Sequence, residues 1–428
     1  MSKITITSGL GHGNLGDDAI LISNKRTFLD NGITDIAVLS PDPDKARKLY
    51  DGNILPNLGR LFKEINKGQF AWSWRLSQAF YVLFIIKMII NALRMSKNKS
   101  PVWVSESERE FLINIHSSDA FVVCGGGTFT DHYYYYHIAS ELLIAKALGK
   151  KCFLGAQSIG PLRGGWSFMM LRRVFRDTFI TVRDNLFSRE YLTGKVRVRN
   201  AQIKDCVDDA FLLESAEKGT VREILKGEGI CPDNIAKYGK IVAFNARAWW
   251  KEKGQNQHLK EMLIKLLKEL NAKKCYILFI SMAKAGDNVS QDADNGLELI
   301  SEAGMSNNNN IGILRKLHSP QEIKALIGMA DLAIGVSYHF NLFAITQCIP
   351  TIGIYQDEYY KLKTLGLHNV FNNDKYAFDA GESYDKLIRL VNEADEQKEY
   401  ITPDRIKALS VNCCVAAKMA ARYAKEGG

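Results

Sequence analysis

The chain has 428 residues, of which 46% are hydrophobic and 24% are charged, and this composition excludes disordered, collagen-like and low-complexity proteins. Lys and Arg number 56 against 47 Asp and Glu, and the resulting net charge of +9 permits anionic partners without selecting one. The 8 cysteines form no CxxC pair and the sequence opens without a secretory signal, so we expect a protein of the reducing cytoplasm.

The first half of the chain predicts a parallel sheet. Short β-branched runs alternate with longer segments that can form helices, which is the pattern of βαβ units in an α/β protein. The predicted strands lie at residues 4–9, 36–40, 120–127, 152–157 and 179–184, with a further short segment before residue 208. We therefore predict an N-terminal Rossmann-like domain over residues 1–214.

An apolar helical segment interrupts this domain at about residues 62–99. Its centre, residues 79–93, is apolar except for Lys87 and Asn91, and is shorter than the roughly 20 residues that span a bilayer. On a helical wheel these two residues and Arg94 form one polar stripe beside a wide apolar arc. Two interpretations are open: an interfacial membrane helix, or a helix that packs on the protein with its polar stripe in solvent.

The second half repeats the alternation of strands and helices after a polar stretch at residues 215–239, which we interpret as a linker. The predicted strands lie at residues 240–247, 275–281, 331–337 and 350–355. Ser319 and Glu322 have the spacing of a capping box, which predicts a helix start. We predict a second Rossmann-like domain over residues 240–402 and a C-terminal helix over residues 403–428 that closes the chain.

Two Rossmann-like domains predict a central ligand cleft, which the domains face with the carboxyl ends of their strands and with helix N-termini. The run Gly13-Asn14-Leu15-Gly16-Asp17-Asp18 follows the first strand and can expose backbone N–H groups at a helix start. Its two carboxylates would repel a pyrophosphate, so dinucleotide binding is not expected. The alternative is that both aspartates only complement the helix dipole.

Three further strand ends of the first half carry candidate binding residues. Gly125, Gly126 and Gly127 end a hydrophobic strand, which indicates a close approach to the backbone or a tight turn. Gln157 ends the next strand and offers neutral hydrogen-bonding groups suited to sugar hydroxyls. Arg183 follows the strand after that, where it contacts a substrate or forms an ion pair within the domain.

The second half supplies the reactive candidates. Arg247 follows a strand, and its guanidinium matches carboxylates and phosphates, although a surface arginine is the alternative. His339 lies between a strand and a helix, close to the N–H groups that could hold an anion beside it. Lys284 is a further basic candidate or a solvated lysine. No metal-ligand spacing, Walker loop or serine-hydrolase motif occurs, so we expect no metal.

The motifs form a recognisable series in chain order. They are GNLGDDAIL, VCGGGTFTD, GAQSIGPL, ITVRDNLFSREYL, VDDAFLL, VAFNARAWW and GVSYHFNLFAITQCIPTIGIY. This series resembles the polysaccharide pyruvyl transferase family over about residues 4–367. The resemblance implies the two-domain fold of GT-B glycosyltransferases. It also implies transfer of a pyruvyl group from phosphoenolpyruvate to two hydroxyls of a sugar, as a ketal, with release of phosphate.

The resemblance also implies roles for the candidate residues. His339 would be the general acid that protonates the methylene carbon of phosphoenolpyruvate, and Arg247 would hold the phosphate or carboxylate. Donor binding would involve Ser337, Lys284 and Arg183. The acceptor side would be formed by Gly13, Asn14, Gly16, Asp17, Asp18, Gly125, Gly126, Gly127 and Gln157. Phosphoenolpyruvate is a co-substrate in this scheme, which requires no cofactor.

Three positions depart from the family's pattern. Ser337 stands where many members have an arginine, Phe340 stands where others have a glycine, and Asp209 replaces a proline. The serine removes a phosphate anchor, which keeps two other functions open. One is a GT-B glycosyltransferase that uses a nucleotide sugar, with Asp357 or Glu358 on the ribose; the other is a non-catalytic scaffold of an envelope-polysaccharide assembly complex.

The expected partners follow from the family resemblance and from the apolar helical segment. The acceptor would be a sugar of a cell-surface polysaccharide or of its lipid-linked precursor. The segment from Trp72 to Lys99 would contact the inner face of the cell membrane, so we expect a cytoplasmic protein that associates peripherally with that membrane. No motif indicates a nucleic-acid partner.

Overall fold

The computed structural model describes residues 2–11, 13–66, 74–131, 135–184, 186–247, 257–283 and 291–427. Over these residues the chain divides into two compact units. Unit 1 comprises Met1–His12, Ile20–Asp209 and Asn412–Gly428. Unit 2 comprises Gly13–Ala19 and Ala210–Val411, so the segment after the first strand belongs to the second unit.

Unit 1 contains a parallel sheet of seven strands among the described residues. The strands are β1 (Lys3–Thr7), β2 (Asp35–Ser40), β3 (Asn53–Pro56), β4 (Ala120–Val123), β5 (Lys151–Gln157), β6 (Phe179–Val182) and β7 (Ile203–Asp205). Their spatial order is β3-β2-β1-β4-β5-β6-β7, and every neighbouring pair is parallel. The order reverses between β1 and β4, the position where doubly wound sheets bind ligands.

Helices separate the strands of unit 1. Those described before the crossing to unit 2 are α1 (Leu15–Asp30), α2 (Pro43–Leu49), α3 (Leu58–Asn66), α4 (Trp74–Met95), α5 (Glu106–Ser117), α6 (Tyr136–Ala147), α7 (Gly165–Phe175) and α8 (Ser188–Glu190). All four residues of β4 are buried, as a strand covered on both faces requires. The apolar β-branched runs seen in the sequence are therefore the central strands of the core.

Unit 2 repeats this arrangement with six parallel strands in its described part. The strands are β8 (Ile241–Asn245), β9 (Tyr276–Phe279), β10 (Ile311–Ile313), β11 (Leu332–Gly335), β12 (Thr351–Tyr355) and β13 (Ala377–Asp379). The helices described here are α9 (Lys218–Gly227), α10 (Pro232–Ile235), α11 (Gln257–Ala272), α12 (Gln291–Glu302), α13 (Pro320–Ile327), α14 (Tyr338–Ile345), α15 (Glu358–Asn369), α16 (Tyr384–Asn392) and α17 (Pro403–Ser410). The strand order is β10-β9-β8-β11-β12-β13, which reverses between β8 and β11.

Local sequence signals account for several boundaries. Ser319 accepts a hydrogen bond from the backbone of Glu322, whose side chain accepts one from Ser319 N–H, so the predicted capping box begins α13. The C-terminal residues form two helices where the sequence predicted one, because Cys414 has a left-handed backbone (φ 49°) between α17 and α18 (Val415–Lys425). The stretch interpreted as a linker contains α9 and α10, and both belong to unit 2.

Asp209 has a structural role at the point where the chain leaves unit 1. One carboxylate oxygen accepts a hydrogen bond from Asn24 Nδ2 at 3.0 Å, and the other accepts one from the Cys414 backbone N–H at 2.8 Å. Burial raises the pKa of this carboxyl to about 6. Proline has no side-chain acceptor, so this departure from the family's pattern adds a tie between α1 and the returning C-terminal segment.

α4 packs on the protein with the face opposite to the one expected. The packing alternative placed the polar stripe in solvent, whereas the structure turns that stripe toward the protein. Lys87 forms an ion pair with the buried carboxylate of Glu108 on α5. Asn91 is buried, and its side chain accepts a hydrogen bond from the backbone N–H of Val102 at 2.7 Å. The stripe therefore faces the protein, because these polar groups have partners on the segment that follows α4.

Candidate functional site

Three predicted site residues lie at one edge of the unit 2 sheet. Arg247 follows the end of β8 by two residues, and Ser337 follows the end of β11 by two residues. These strands are parallel neighbours in which Asn245 and Gly335 pair, so their carboxyl ends lie side by side. The structure therefore brings Arg247, Ser337 and His339 to the point where the strand order reverses.

His339 lies in the first turn of α14. Ser337 is the N-cap residue of this helix, and its backbone N–H donates a hydrogen bond to Asn245 Oδ1 at 3.1 Å. The aligned peptide dipoles give this helix end a partial positive charge, which favours anions beside it. The imidazole is 8% exposed, so it reacts only with a group that enters the site.

Asn245 organises the strand ends, although it was not among the predicted site residues. Its Nδ2 donates to the carbonyl of Ile280 at 2.9 Å and to Asp292 Oδ2 at 3.3 Å, while its Oδ1 accepts from Ser337. One buried amide thus joins the end of β8 to the segments that follow β9 and β11. A signal was present in the motif VAFNAR, where a polar amide ends an otherwise apolar strand.

Arg247 is held by a phenol and acts electrostatically on a buried carboxylate. Burial raises the pKa of Asp292, and the positive charge of Arg247 opposes this rise. The guanidinium also donates a hydrogen bond to Tyr360 Oη at 3.3 Å. Arg247 is half-buried in a defined orientation, whereas a surface arginine would be solvated. No spacing in the sequence linked Asp292 or Tyr360 to it.

The glycine-rich run after β1 is part of the same unit as His339. The backbone N–H of Leu15 donates to the carbonyl of Met282 at 3.3 Å, and Asn14 forms an antiparallel bridge with Ala283. These contacts attach the start of α1 to the chain that follows β9. The run therefore lies beside the strand ends of unit 2.

Gly16 lies against the imidazole of His339. A Cβ atom at this position would stand 1.8 Å from His339 Nδ1, far inside any van der Waals contact. Glycine is required here because the histidine ring occupies the space of a side chain. The family resemblance implied that Gly16 forms part of the acceptor side. In the structure Gly16 lies against His339, the predicted general acid.

The remaining residues of this run brace the helix start. Asn14 Oδ1 accepts a hydrogen bond from Gly16 N–H at 3.1 Å, and its Nδ2 donates to Asp17 Oδ2 at 3.1 Å. Asp17 and Asp18 lie in the first turn of α1, where carboxylates complement the helix dipole. Gly13 is half-buried and has a left-handed backbone, with a φ of 86°.

We expect Gly16→Ala to lower kcat by about a hundredfold, because the new methyl group must displace the His339 ring and a misplaced catalytic group costs that order of rate. Gly219→Ala is the matched control, since a Cβ there meets no atom within 4 Å. Activity would be measured together with thermal unfolding. Wild-type activity in a folded Gly16→Ala protein would contradict the assignment of His339.

The glycines of unit 1 serve a close approach between two strands. A Cβ at Gly125 would stand 2.9 Å from the carbonyl oxygen of Ala156. Gly126 has a φ of 140°, and its N–H donates to that same carbonyl at 2.9 Å. Gly127, the last of the three, is half-buried. Close backbone packing against β5 thus explains the glycine at position 125, and the positive φ explains the glycine at position 126.

Gln157 and Arg183 are turned into unit 1. Gln157 is fully buried, and its amide donates to the carbonyl of Cys124, so a sugar cannot reach it in this arrangement. Arg183 is buried, pairs with Asp208, and donates to Ser158 Oγ at 2.9 Å. Both side chains have partners inside unit 1, where Arg183 forms an internal ion pair, and the binding roles of the two residues stay predictions. Lys284 lies outside the described residues.

Known proteins resemble this chain in sequence and in fold. The model of a family described as polysaccharide pyruvyl transferase matches residues 14–358. No curated protein matches the sequence significantly. Among solved structures, a glycosyltransferase from Rickettsia africae ESF-5 is 12% identical with a TM-score of 0.58, covering 100% of this chain and 99% of that one.

Two further structures share the fold. Anabaena Alr3699/HepE in complex with UDP-glucose is 13% identical with a TM-score of 0.57, covering 100% of both chains. S. aureus MnaA with UDP is 11% identical with a TM-score of 0.56, covering 99% of this chain and 94% of that one. At such identities the likeness establishes the fold alone, and it confirms the predicted pair of Rossmann-like domains of the GT-B type.

Proposed function

Because the chain belongs to the polysaccharide pyruvyl transferase family, we propose that it transfers a pyruvyl group from phosphoenolpyruvate to two hydroxyls of one sugar. The product is a pyruvate ketal, and inorganic phosphate leaves. The observation that carries this proposal is the meeting of Arg247, the N-terminus of α14 and His339 at one edge of the unit 2 sheet. An anion site beside a proton donor is what this reaction requires.

Donor binding uses the two anionic groups of phosphoenolpyruvate. Arg247 offers parallel N–H donors that fit a phosphate or a carboxylate, and its bond to Tyr360 holds the fork in place. The N-terminus of α14 attracts the other anion, with the hydroxyl of Ser337 as a neutral donor. Ser337 thus takes over part of the role that arginine has in many members of the family.

The first chemical step is proton transfer from His339 to the methylene carbon of phosphoenolpyruvate. The methylene becomes a methyl group, and the neighbouring carbon becomes an oxocarbenium-like centre that a sugar hydroxyl attacks. His339 recovers a proton from this first hydroxyl. Gly16 packs against the ring and limits its rotation, which keeps the imidazole aimed at the donor.

The second step replaces phosphate with the second hydroxyl. The carbon–oxygen bond to phosphate breaks, the second sugar oxygen bonds to the same carbon, and the second hydroxyl proton leaves with the phosphate. Arg247 stabilises the charge that develops on the departing group. The balance is one phosphoenolpyruvate and one diol in, one ketal and one hydrogen phosphate out.

We place the acceptor on the side of Asn14, Asp17 and Asp18, since this run adjoins His339 within unit 2. Carboxylates and amides bind sugar hydroxyls as hydrogen-bond acceptors and donors. A lipid-linked acceptor would bring the enzyme to the inner face of the cell membrane. Gly125 to Gly127 belong to unit 1, whereas His339 belongs to unit 2. Acceptor binding by these glycines stays a prediction from the sequence.

A glycosyltransferase that uses a nucleotide sugar is the second candidate, because Anabaena Alr3699/HepE with UDP-glucose and S. aureus MnaA with UDP share the fold. Asp357 and Glu358, which were predicted to bind the ribose of the nucleotide, do not form a ribose site by themselves. Asp357 Oδ1 caps α15 by accepting from the Tyr360 N–H at 2.8 Å, which occupies that oxygen. Glu358 is exposed.

Phosphate release separates these functions. Purified protein would be mixed with phosphoenolpyruvate and lipid-linked sugar acceptors, and in parallel with UDP-sugars and the same acceptors. We expect acceptor-dependent phosphate release with phosphoenolpyruvate, and a ketal methyl signal in the product by NMR. Sugar transfer from UDP-sugars alone would establish the second candidate. Turnover with neither donor would favour the non-catalytic scaffold.

A further inference from the structure

The helix α4 turns its polar side toward unit 1. Lys87 pairs with Glu108, and Asn91 donates to the carbonyl of Lys87 at 3.0 Å as well as accepting from Val102. Phe84 and Met88 are buried on this same side of the helix. The polar stripe that would face solvent in an ordinary amphipathic helix is thus used for internal contacts.

The opposite side of α4 exposes an apolar ridge. Its members are large side chains, each 40–60% exposed: Leu76, Phe80, Val82, Leu83, Ile86, Ile90 and Leu93. Apart from Val82 they recur every three or four residues, so they line one face of the helix. The largest contiguous apolar patch on a typical monomer covers about 300–600 Å² and is often functional.

By length and composition, Leu76–Met95 is the one segment of the described chain that could cross a membrane. Its inner side nevertheless belongs to the core of unit 1, since Met88 and Ala92 are fully buried against neighbouring helices. From Phe84 onward the helix is fixed to a folded unit, so this part presents only one face to a membrane. This arrangement fits a helix that lies in the interface.

We propose that the apolar ridge of α4 docks the protein on the surface of an anionic lipid bilayer. α4 contains no acidic residue, and the exposed Lys97 and Lys99 follow its C-terminal end. Trp103, four residues further on, is 92% exposed. Apolar side chains, cations and an exposed indole at one helix are the groups that bind at the lipid headgroup level.

The dimensions of the ridge favour a bilayer over a second copy of this chain. A helix of this length is about 33 Å long and about 10 Å wide, so its footprint is about 330 Å². A stable protein interface buries about 800 Å² on each partner. A fluid bilayer conforms to a convex ridge, whereas a protein partner would need a matching groove.

Vesicle sedimentation with the full chain, without substrates, tests this proposal. We expect binding to phosphatidylglycerol–phosphatidylcholine vesicles and weaker binding to phosphatidylcholine alone. The double variant Leu83→Asp/Ile86→Asp should lower the partition coefficient at least about tenfold, because both charges would enter the apolar interface. The double variant Lys97→Gln/Lys99→Gln should lower binding to the anionic vesicles by about fivefold per lysine.

Leu29→Asp is the matched control, because Leu29 is an exposed leucine on another helix of unit 1, 42% exposed. It should bind vesicles as the wild type does. Leu83, Ile86 and Leu29 are exposed, so circular dichroism should show that Leu83→Asp/Ile86→Asp and Leu29→Asp are folded. Trp103 provides a second readout: tryptophan fluorescence should shift to the blue with anionic vesicles, and Trp103→Phe should reduce that shift.

Unchanged vesicle binding by Leu83→Asp/Ile86→Asp would overturn the proposal. It would also be overturned if light scattering without lipid found a dimer that this variant dissociates, since the ridge would then bind a second copy. Neither result depends on the proposed reaction, because binding is measured without donor or acceptor. Phosphate release with a water-soluble acceptor would stay at the wild-type rate in the variant.

Discussion

His339→Ala should lower kcat for phosphate release by about a thousandfold while the protein stays folded. General acids contribute about 10²- to 10⁴-fold in rate, and protonation of the methylene carbon cannot proceed through Arg247 or Ser337 at neutral pH. The ring lies in the first turn of α14 against Gly16. Phosphoenolpyruvate affinity should change little, because the anion contacts stay in place.

The control for this variant is His258→Ala, which removes an exposed histidine of the same unit. His339→Gln keeps more of the side-chain volume beside Gly16 and should be equally inactive. Thermal unfolding of all three proteins would show whether the lost ring leaves a damaging cavity. More than a tenth of the wild-type rate in either His339 variant would show that another group supplies the proton.

Arg247→Ala should lower kcat/KM for phosphoenolpyruvate by about a thousandfold. Charge-assisted hydrogen bonds contribute about 1.5–3 kcal/mol each, and the guanidinium can offer two of them to a phosphate or carboxylate. Most of the loss should appear in KM, with a smaller fall in kcat because the leaving phosphate loses a positive charge. Arg247→Lys should recover only a part, since ammonium lacks the fork.

A second variant separates binding from folding. Arg247→Ala leaves the buried carboxylate of Asp292 without the charge that opposes its desolvation, which destabilises unit 2. Arg247→Ala with Asp292→Asn should restore stability and leave the activity low. Arg222→Ala removes an exposed ion pair of the same unit and should be neutral. Full activity in the stable double variant would contradict the donor-binding role of Arg247.

Much of the fold could be predicted because its signals are local. Buried parallel strands need nearly continuous apolar, β-branched runs, and those of β1, β4, β8 and β11 are visible in the chain. Arg247 and His339 could be found for the same reason, since each comes directly after such a run. The capping box of Ser319 and Glu322 is likewise a local signal, and it predicted the start of α13.

Side-chain direction at a strand end is not local information. Gln157 and Arg183 follow apolar strands just as Arg247 does, yet their partners inside unit 1, the Cys124 carbonyl and Asp208, turn them into the core. A position shifted by one residue faces the other side of a sheet, and the alternation of a short strand end does not reveal which side is closed.

The chain by itself determined the alternation of strands and helices, the composition of the motifs and the polar stripe of α4. The tertiary structure decided what each of these meets. Gly16 lies against His339, and Arg247 donates a hydrogen bond to Tyr360, only because distant segments end at one sheet edge. The polar stripe of α4 faces the protein because Lys87 forms an ion pair with Glu108 on the next helix, which leaves the apolar arc exposed. A helical wheel does not show this, because an ion pair depends on the distance between two groups in space.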